Sequence, residues 1–160
     1  MPTLPPDPSL LAGTRGEQVL WRAAAGEALE VDAILGARTG ALLPPDAFLA
    51  IEVWVECELA ALHALQRLVA ADPERAAART ARLREAIAWH LEHTQPDNAT
   101  NRPWALHAFL LADDGGGAAA FYAETLLQNA LATEARDEPL SRWILADAAR
   151  ELRRSTSAGG

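Results

Sequence analysis

The chain has 160 residues, the size of one ordinary domain, and half of them are hydrophobic, which argues against an intrinsically disordered protein. Its formal net charge of −8 argues against binding to nucleic acid or to an anionic membrane, since both need clustered positive charge. The single cysteine, Cys57, allows no intramolecular disulfide, and the N-terminal residues lack the basic and apolar regions of a secretory signal. These features predict an acidic cytoplasmic protein.

The pattern along the chain predicts an all-α fold in a single domain. Residues 1–16 are rich in proline and glycine and predict an extended N-terminal arm, whereas residues 155–160 predict a flexible tail. Between them, residues 17–154 show helical periodicity and no alternation typical of strands. The six predicted helices are 17–35, 44–71, 74–95, 102–111, 118–135 and a last one that follows Asp137. Their short connections predict an up-and-down antiparallel bundle or stacked helical hairpins.

The fourth predicted helix, residues 102–111, has almost no polar face after its first turn. A helix that is apolar all round belongs in the middle of a domain or beneath a partner. Its one titratable side chain after the first turn is His107. We therefore expect His107 to lie in an apolar environment.

The segment from Trp89 to His107 holds three of the four histidines and two of the five tryptophans. If the helices on either side of this turn pair symmetrically about the Asn98–Ala99 bond, equal rise per residue brings His90 level with His107. The same pairing brings His93 level with Trp104. Such imidazoles can ligate a metal or act as a general acid or base.

Two structural interpretations compete with a site at this turn. Asp97, Asn98 and Asn101 are residue types that satisfy helix ends, and the aromatic side chains can simply pack the hairpin. The two histidines at 90 and 93 also lack the glutamate and the i,i+4 spacing of the helical metalloprotease motif. We therefore predict no metal ligand, no cofactor and no catalytic residue.

Three glutamates fall on apolar helix faces, where an unpartnered carboxylate costs several kcal/mol in rough terms. They are Glu27 on the first helix, Glu58 on the second and Glu124 on the fifth. Each must be partnered, protonated or exposed at an edge. The Glu-x-x-His pairs by which helical bundles hold two metals are absent.

A narrow polar stripe on the second helix carries Glu52, Glu56, His63 and Arg67. Helical spacing of opposite charges favours a solvent-exposed face here, and predicts that His63 is a surface histidine. Cys57 lies in an apolar stretch with no neighbouring base, which predicts a buried and inert thiol.

The sequence leads to two hypotheses about function and does not decide whether the protein is an enzyme. The first is a non-catalytic protein-interaction or scaffold module that contacts a protein partner or a second copy of itself as a dimer, since Trp89 lies outside the core stripe of its helix. The alternative is a small-ligand- or metal-binding helical protein or enzyme with a pocket around the 89–107 hairpin. The candidate pocket residues are His90, His93, Asp97, Asn98, Asn101, Trp104, His107, Glu124 and Glu58.

Overall fold

The computed structural model describes residues 15–48, 50–96, 102–112, 115–133 and 137–158. Within these ranges the chain forms helices, one 3-10 turn (Pro45–Ala47) and no strand, so the prediction of an all-α fold is confirmed. None of these helices is both long and apolar enough to cross a membrane. The helices are α1 (Arg15–Ala24), α2 (Asp32–Leu35), α3 (Ile51–Ala71), α4 (Ala76–His93), α5 (Leu106–Leu111), α6 (Ala118–Ala132) and α7 (Pro139–Ala158).

The first predicted helix is interrupted, so the prediction of one continuous helix over 17–35 is wrong. Helix α1 ends at Ala24 because Gly26 adopts a left-handed conformation with φ +100°. The amide of Gly26 donates to the carbonyl of Ala23, and that of Glu27 to the carbonyl of Arg22. This pattern is a Schellman motif, which satisfies the last carbonyls of the helix. Glu27 consequently lies at the surface, where it pairs with Arg22.

The ends of the chain also differ from expectation. Of the predicted arm, residues 1–14 lie outside the described residues, and α1 already begins at Arg15. The predicted flexible tail is wrong for residues 155–158, because α7 continues to Ala158. Hydroxyl groups support this last turn: Ser155 donates to the carbonyl of Glu151, and Ser157 to that of Arg153.

Helix α3 is at the centre of the described packing, against α1, α4 and α5. Every residue from Cys57 to Leu65 is buried, which includes the thiol of Cys57. Helix α5 is shorter than predicted and begins at Leu106 rather than Arg102. Its first four residues are buried, but Leu110 and Leu111 are exposed. The central position expected of the fourth predicted helix therefore belongs to α3.

The segment from 36 to 43 is held against α3 and α4 by two charged side chains. Arg82 donates to the carbonyls of Leu35, Gly40 and Ala41 at 2.9, 2.7 and 3.0 Å. Glu58 accepts hydrogen bonds from the next two amides, as described below. Backbone amides and carbonyls of this irregular segment thus have side-chain hydrogen-bond partners. Leu42 and Leu43 can therefore be buried without leaving their amides unpaired.

Candidate functional site

Two buried ionisable residues of α3, Glu58 and His63, organise two separate clusters. They are five positions apart in the sequence, which on an α-helix is a rotation of roughly 140° between their side chains. Each residue therefore contacts a different set of neighbours. The candidate pocket residues that the structure describes are divided between these two clusters and the surface.

The first cluster surrounds Glu58, whose carboxylate is fully buried. Its two oxygens accept hydrogen bonds from the amides of Leu42 and Leu43 at 2.6 and 2.7 Å. Its Oε1 also lies 3.3 Å from Nε2 of His90, so this nitrogen carries a proton and donates to the carboxylate. Of the three alternatives that the sequence left open for Glu58, the structure therefore shows a partnered carboxylate. Its contacts join α3, α4 and the segment before the 3-10 turn.

The hydrogen-bond chain continues from His90 to α6. Nδ1 of His90 lies 3.0 Å from Oγ1 of Thr94, which in turn lies 2.7 Å from the hydroxyl of Tyr122. Burial raises the pKa of Tyr122 to about 12. This hydroxyl therefore stays protonated at neutral pH and can donate to Thr94. Every polar group named here has a partner, which favours a structural role for the first cluster.

The second cluster surrounds His63, which the sequence placed on an exposed stripe. That prediction is wrong, because His63 is fully buried and Arg67 is nearly so. Helix α7 covers this part of α3: Nε2 of His63 lies 3.1 Å from Oδ2 of Asp147, and Arg67 donates to the same oxygen at 2.8 Å. Asp147 is a component that the sequence did not reveal. The signal available for it was an acidic residue among the apolar positions of the last helix.

The protonation states in the second cluster follow from its hydrogen bonds. Nδ1 of His63 accepts from the amide of Ala105 at 3.2 Å, so the proton of a neutral His63 is on Nε2 and is donated to Asp147. Burial lowers the pKa of His63 and outweighs the attraction of Asp147. Burial alone would raise the pKa of Asp147, but the hydrogen bond from His63 and the charge of Arg67 hold it well below its usual range. The pair is thus a neutral imidazole and a carboxylate.

His107 lies against His63, with 4.3 Å between the ring centroids. It is fully buried, and neither of its nitrogens has a hydrogen-bond partner among the described residues. Burial lowers the pKa of His107 well below its ordinary value, and the charge of Arg67 acts in the same direction. The apolar environment expected of His107 is present. Its two bare nitrogens reduce the stability of the fold.

Three tryptophans enclose His63. The ring centroids of Trp21, Trp104 and Trp143 lie 5.6, 5.5 and 5.9 Å from its own. The indole nitrogens of Trp21 and Trp143 are buried and form no hydrogen bond within the described parts of the chain. Trp104, a predicted pocket residue, therefore belongs to this cluster together with His107.

The two remaining predicted pocket residues that the structure describes, His93 and Glu124, are not brought together. His93 is exposed and stacks on Trp89 at 4.7 Å, and Glu124 is exposed on α6. Asp97, Asn98 and Asn101 lie outside the described residues. Helix α4 packs chiefly against α3 and α6, whereas α5 packs against α6, α7 and α3. The two helices have different principal partners, and His90 and His107 accordingly have different neighbours.

An apolar groove opens beside the first cluster, between the start of α3 and the end of α4. Its volume is about 480 Å³. Trp54 and Trp89 form its walls, with their rings 5.9 Å apart at an angle of 87°. The side chains that line it are mostly apolar, and they include Pro45, Ile51, Trp54, Val55, Trp89 and His93.

Within the described ranges, no three His, Cys, Asp or Glu side chains are grouped so that they could hold a metal ion. No protein-family model, no curated protein and no solved structure matches this chain.

Proposed function

We propose that this chain is a non-catalytic, cytoplasmic protein-interaction module that binds a segment of a partner protein in the apolar groove. The observation that carries the proposal is a groove of about 480 Å³ whose walls are two tryptophans. Ile51 lies at its edge with 59 % of its surface exposed. An apolar groove with an exposed apolar side chain at its edge is typical of contact surfaces.

The walls of the groove are held rigidly before any partner arrives. Nε1 of Trp54 donates to the carbonyl of Leu43 at 3.1 Å, and its ring lies edge-on to Trp89. Trp89 is confined between His93 and the backbone of Gly40. A partner that binds rigid aromatic rings loses little conformational entropy in the protein, which favours affinity.

The charge around the groove favours a partner segment with a bulky apolar side chain beside lysine or arginine. Glu52 lines the groove, and Glu92, next to His93, is 79 % exposed. None of the described residues that line the groove is basic apart from His93. The net charge of −8 adds a long-range attraction for a basic segment.

Peptide display tests this proposal. Random peptides selected on the full chain should converge on an apolar residue flanked by basic residues. Binding of a selected peptide should be lost in Ile51→Glu, which places a charge at the edge of the groove. The matched control is Phe121→Glu, because Phe121 is 70 % exposed but lies on α6, outside the groove lining. Failure to select any peptide, or equal binding by both variants, contradicts the proposal.

A small apolar ligand is the second candidate occupant, because the groove volume lies in the range of small-molecule sites. Native mass spectrometry of the purified chain distinguishes the two. A stoichiometric small molecule that Ile51→Glu abolishes would favour the ligand. Self-association through the groove would instead appear in light scattering as a dimer that dissociates in Ile51→Glu and persists in Phe121→Glu.

A further inference from the structure

A second cavity, of about 200 Å³, opens between the end of α3 and α7. We call it the arginine cavity, because three guanidinium groups line it together with two carboxylates. The remaining lining comes from alanines of α1 and α3, whose small side chains leave the space open. The five charged lining residues are Arg67, Asp147, Arg150, Glu151 and Arg154.

Arg67 is the buried cation of this cavity, with 9 % of its side chain exposed. Its Nη1 donates to Asp147 at 2.8 Å, and its Cζ lies 5.5 Å from the ring centre of Trp143. These contacts orient a planar group that carries five N–H donors, and a single hydrogen bond to Asp147 leaves most of them for another acceptor. Arg67 is thus prearranged to bind an anion.

The carboxylate of Asp147 is already saturated by its neighbours. Arg150 donates to Oδ1 at 2.5 Å, while Arg67 and His63 both donate to Oδ2. The neutral state of His63 means that this carboxylate is shared between two guanidinium charges. One positive charge in the cavity therefore lacks a counterion from Asp147.

The two remaining charged residues of the cavity do not neutralise this unpaired positive charge. Arg154 pairs with Glu151 at 2.6 Å, so these two cancel. Three guanidinium groups against two carboxylates leave a formal charge of +1 in the cavity. A shallow surface continuous with its opening adds Arg153 and Ser157 beside Arg150 and Arg154. This local positive charge contrasts with the net charge of −8 of the whole chain.

We propose that the arginine cavity binds a small oxyanion, a phosphate or carboxylate group, between Arg67 and Arg150. Guanidinium groups bind both kinds of oxyanion through paired N–H donors, because the spacing of the donors matches that of two oxygens. The alanine walls provide room for a short apolar portion attached to the anionic group. The site is distinct from the apolar groove and does not depend on the function proposed for it.

Titration of the full chain with inorganic phosphate and, separately, with acetate tests this site. Potassium chloride keeps the ionic strength constant. The indole N–H resonance of Trp143 is a built-in reporter, because Arg67 lies over its ring. We expect a saturable shift with at least one of the two anions, and their relative affinities identify the preferred oxyanion. No saturable shift with either anion would overturn the proposal.

Two kinds of variant separate a built site from general attraction to positive charge. Arg150→Gln removes one guanidinium and should weaken binding about tenfold, the loss expected for a charge-assisted hydrogen bond. Arg84→Gln is the matched control, because Arg84 is exposed on α4 and does not line the cavity. Equal affinity in these two variants contradicts the site.

The second kind of variant keeps every charge of the arginine cavity and fills its volume. Ala70 lines the cavity and is exposed, so Ala70→Phe should fill the opening without disturbing the core. Ala81→Phe, on the exposed side of α4, controls for the added ring. We expect anion binding to be lost in Ala70→Phe alone. Retained binding would mean that the anion binds outside the cavity, and the proposal would be wrong.

Discussion

The backbone amide of Ala105 donates to Nδ1 of His63 at 3.2 Å, and this contact determines which nitrogen of the imidazole holds the proton. Ala105 has a left-handed backbone with φ 56°, a conformation that costs a non-glycine residue about 1 kcal/mol. Ala105 immediately precedes α5, and its carbonyl accepts hydrogen bonds from the amides of Ala108 and Phe109 in that helix. A turn and a buried histidine thus stabilise each other, and together they present the opposite edge of His63 to Asp147.

Asp147→Asn should be strongly destabilising. The substitution keeps the shape of the side chain but leaves Arg67 and Arg150 without their shared carboxylate. Breaking a buried ion pair by removal of one partner costs about 3 kcal/mol. Urea unfolding followed by circular dichroism measures the change. Glu27→Gln is the control, because Glu27 pairs with Arg22 at the surface, where solvent screening leaves an ion pair little stabilising effect.

Acid should destabilise the protein through its two buried imidazoles. The pKa values of His63 and His107 are lowered in the folded state, so the unfolded chain takes up protons near pH 6.5 that the folded chain does not. The contribution of these two histidines to the free energy of unfolding is therefore complete above this pH and is lost as the pH decreases below it. Each histidine adds up to about 1.4 kcal/mol per pH unit to the slope.

His107→Leu tests the origin of this acid sensitivity. The substitution removes two nitrogens that have no hydrogen-bond partner among the described residues, and it keeps a similar volume. It should therefore make stability less dependent on pH between about 4.5 and 6.5. In this window Asp147 stays ionised both folded and unfolded, since its folded pKa is lowered from an already acidic value. Parallel stability curves for the wild type and the variant would contradict the prediction.

Glu58→Gln should loosen the segment before α3. A glutamine offers one acceptor oxygen, and its amide group would face the donor of Leu42 or Leu43. An unsatisfied buried donor costs about 2 kcal/mol. Hydrogen exchange should accelerate at these two amides before it changes elsewhere. Glu52→Gln, at the exposed start of α3, should leave both amides as protected as in the wild type.

Local sequence patterns predicted the helices well where the apolar period is long and its ends are marked. The all-α class, the end of α3 at Ala71 and the positions of α4 and α6 follow from such patterns, but α3 begins at Ile51 and not at the predicted residue 44. The break after Ala24 did not follow, because Gly26 interrupts a stripe whose apolar positions continue beyond it. A glycine within a helical pattern lowers the stability of the helix, but only tertiary contacts decide whether the chain turns there.

The candidate site was predicted in part. Burial of His107 followed from its apolar surroundings, whereas the cost of an isolated carboxylate left open whether Glu58 would be partnered, protonated or exposed. The pairing of His63 with Asp147 joins residues 84 positions apart, and no local period indicates which surface α7 covers. The polar stripe on α3 consequently looked solvent-exposed. Charged residues at helical spacing are equally compatible with a buried network when a partner helix supplies the opposite charge.

The close approach of Gly40 to Trp89 allows a test of how the apolar groove is shaped. A Cβ atom on Gly40 would lie 2.7 Å from Cδ1 of Trp89, a distance that forces the ring or the segment to move. Gly40 also has φ +71°, so an alanine there carries backbone strain as well. Gly40→Ala should therefore destabilise the fold by about 2 kcal/mol and displace one wall of the groove.

Gly115→Ala separates the two causes. Gly115 has a similar φ of +63°, but no atom of the described residues lies within 4 Å of the added Cβ atom, so the backbone strain of about 1 kcal/mol is the expected cost. Thermal unfolding measures both variants. Binding of a selected peptide should weaken in Gly40→Ala and stay unchanged in Gly115→Ala, because only the first moves Trp89. Equal losses of stability would mean that the tryptophan yields without cost, and the rigid wall inferred for the groove would be wrong.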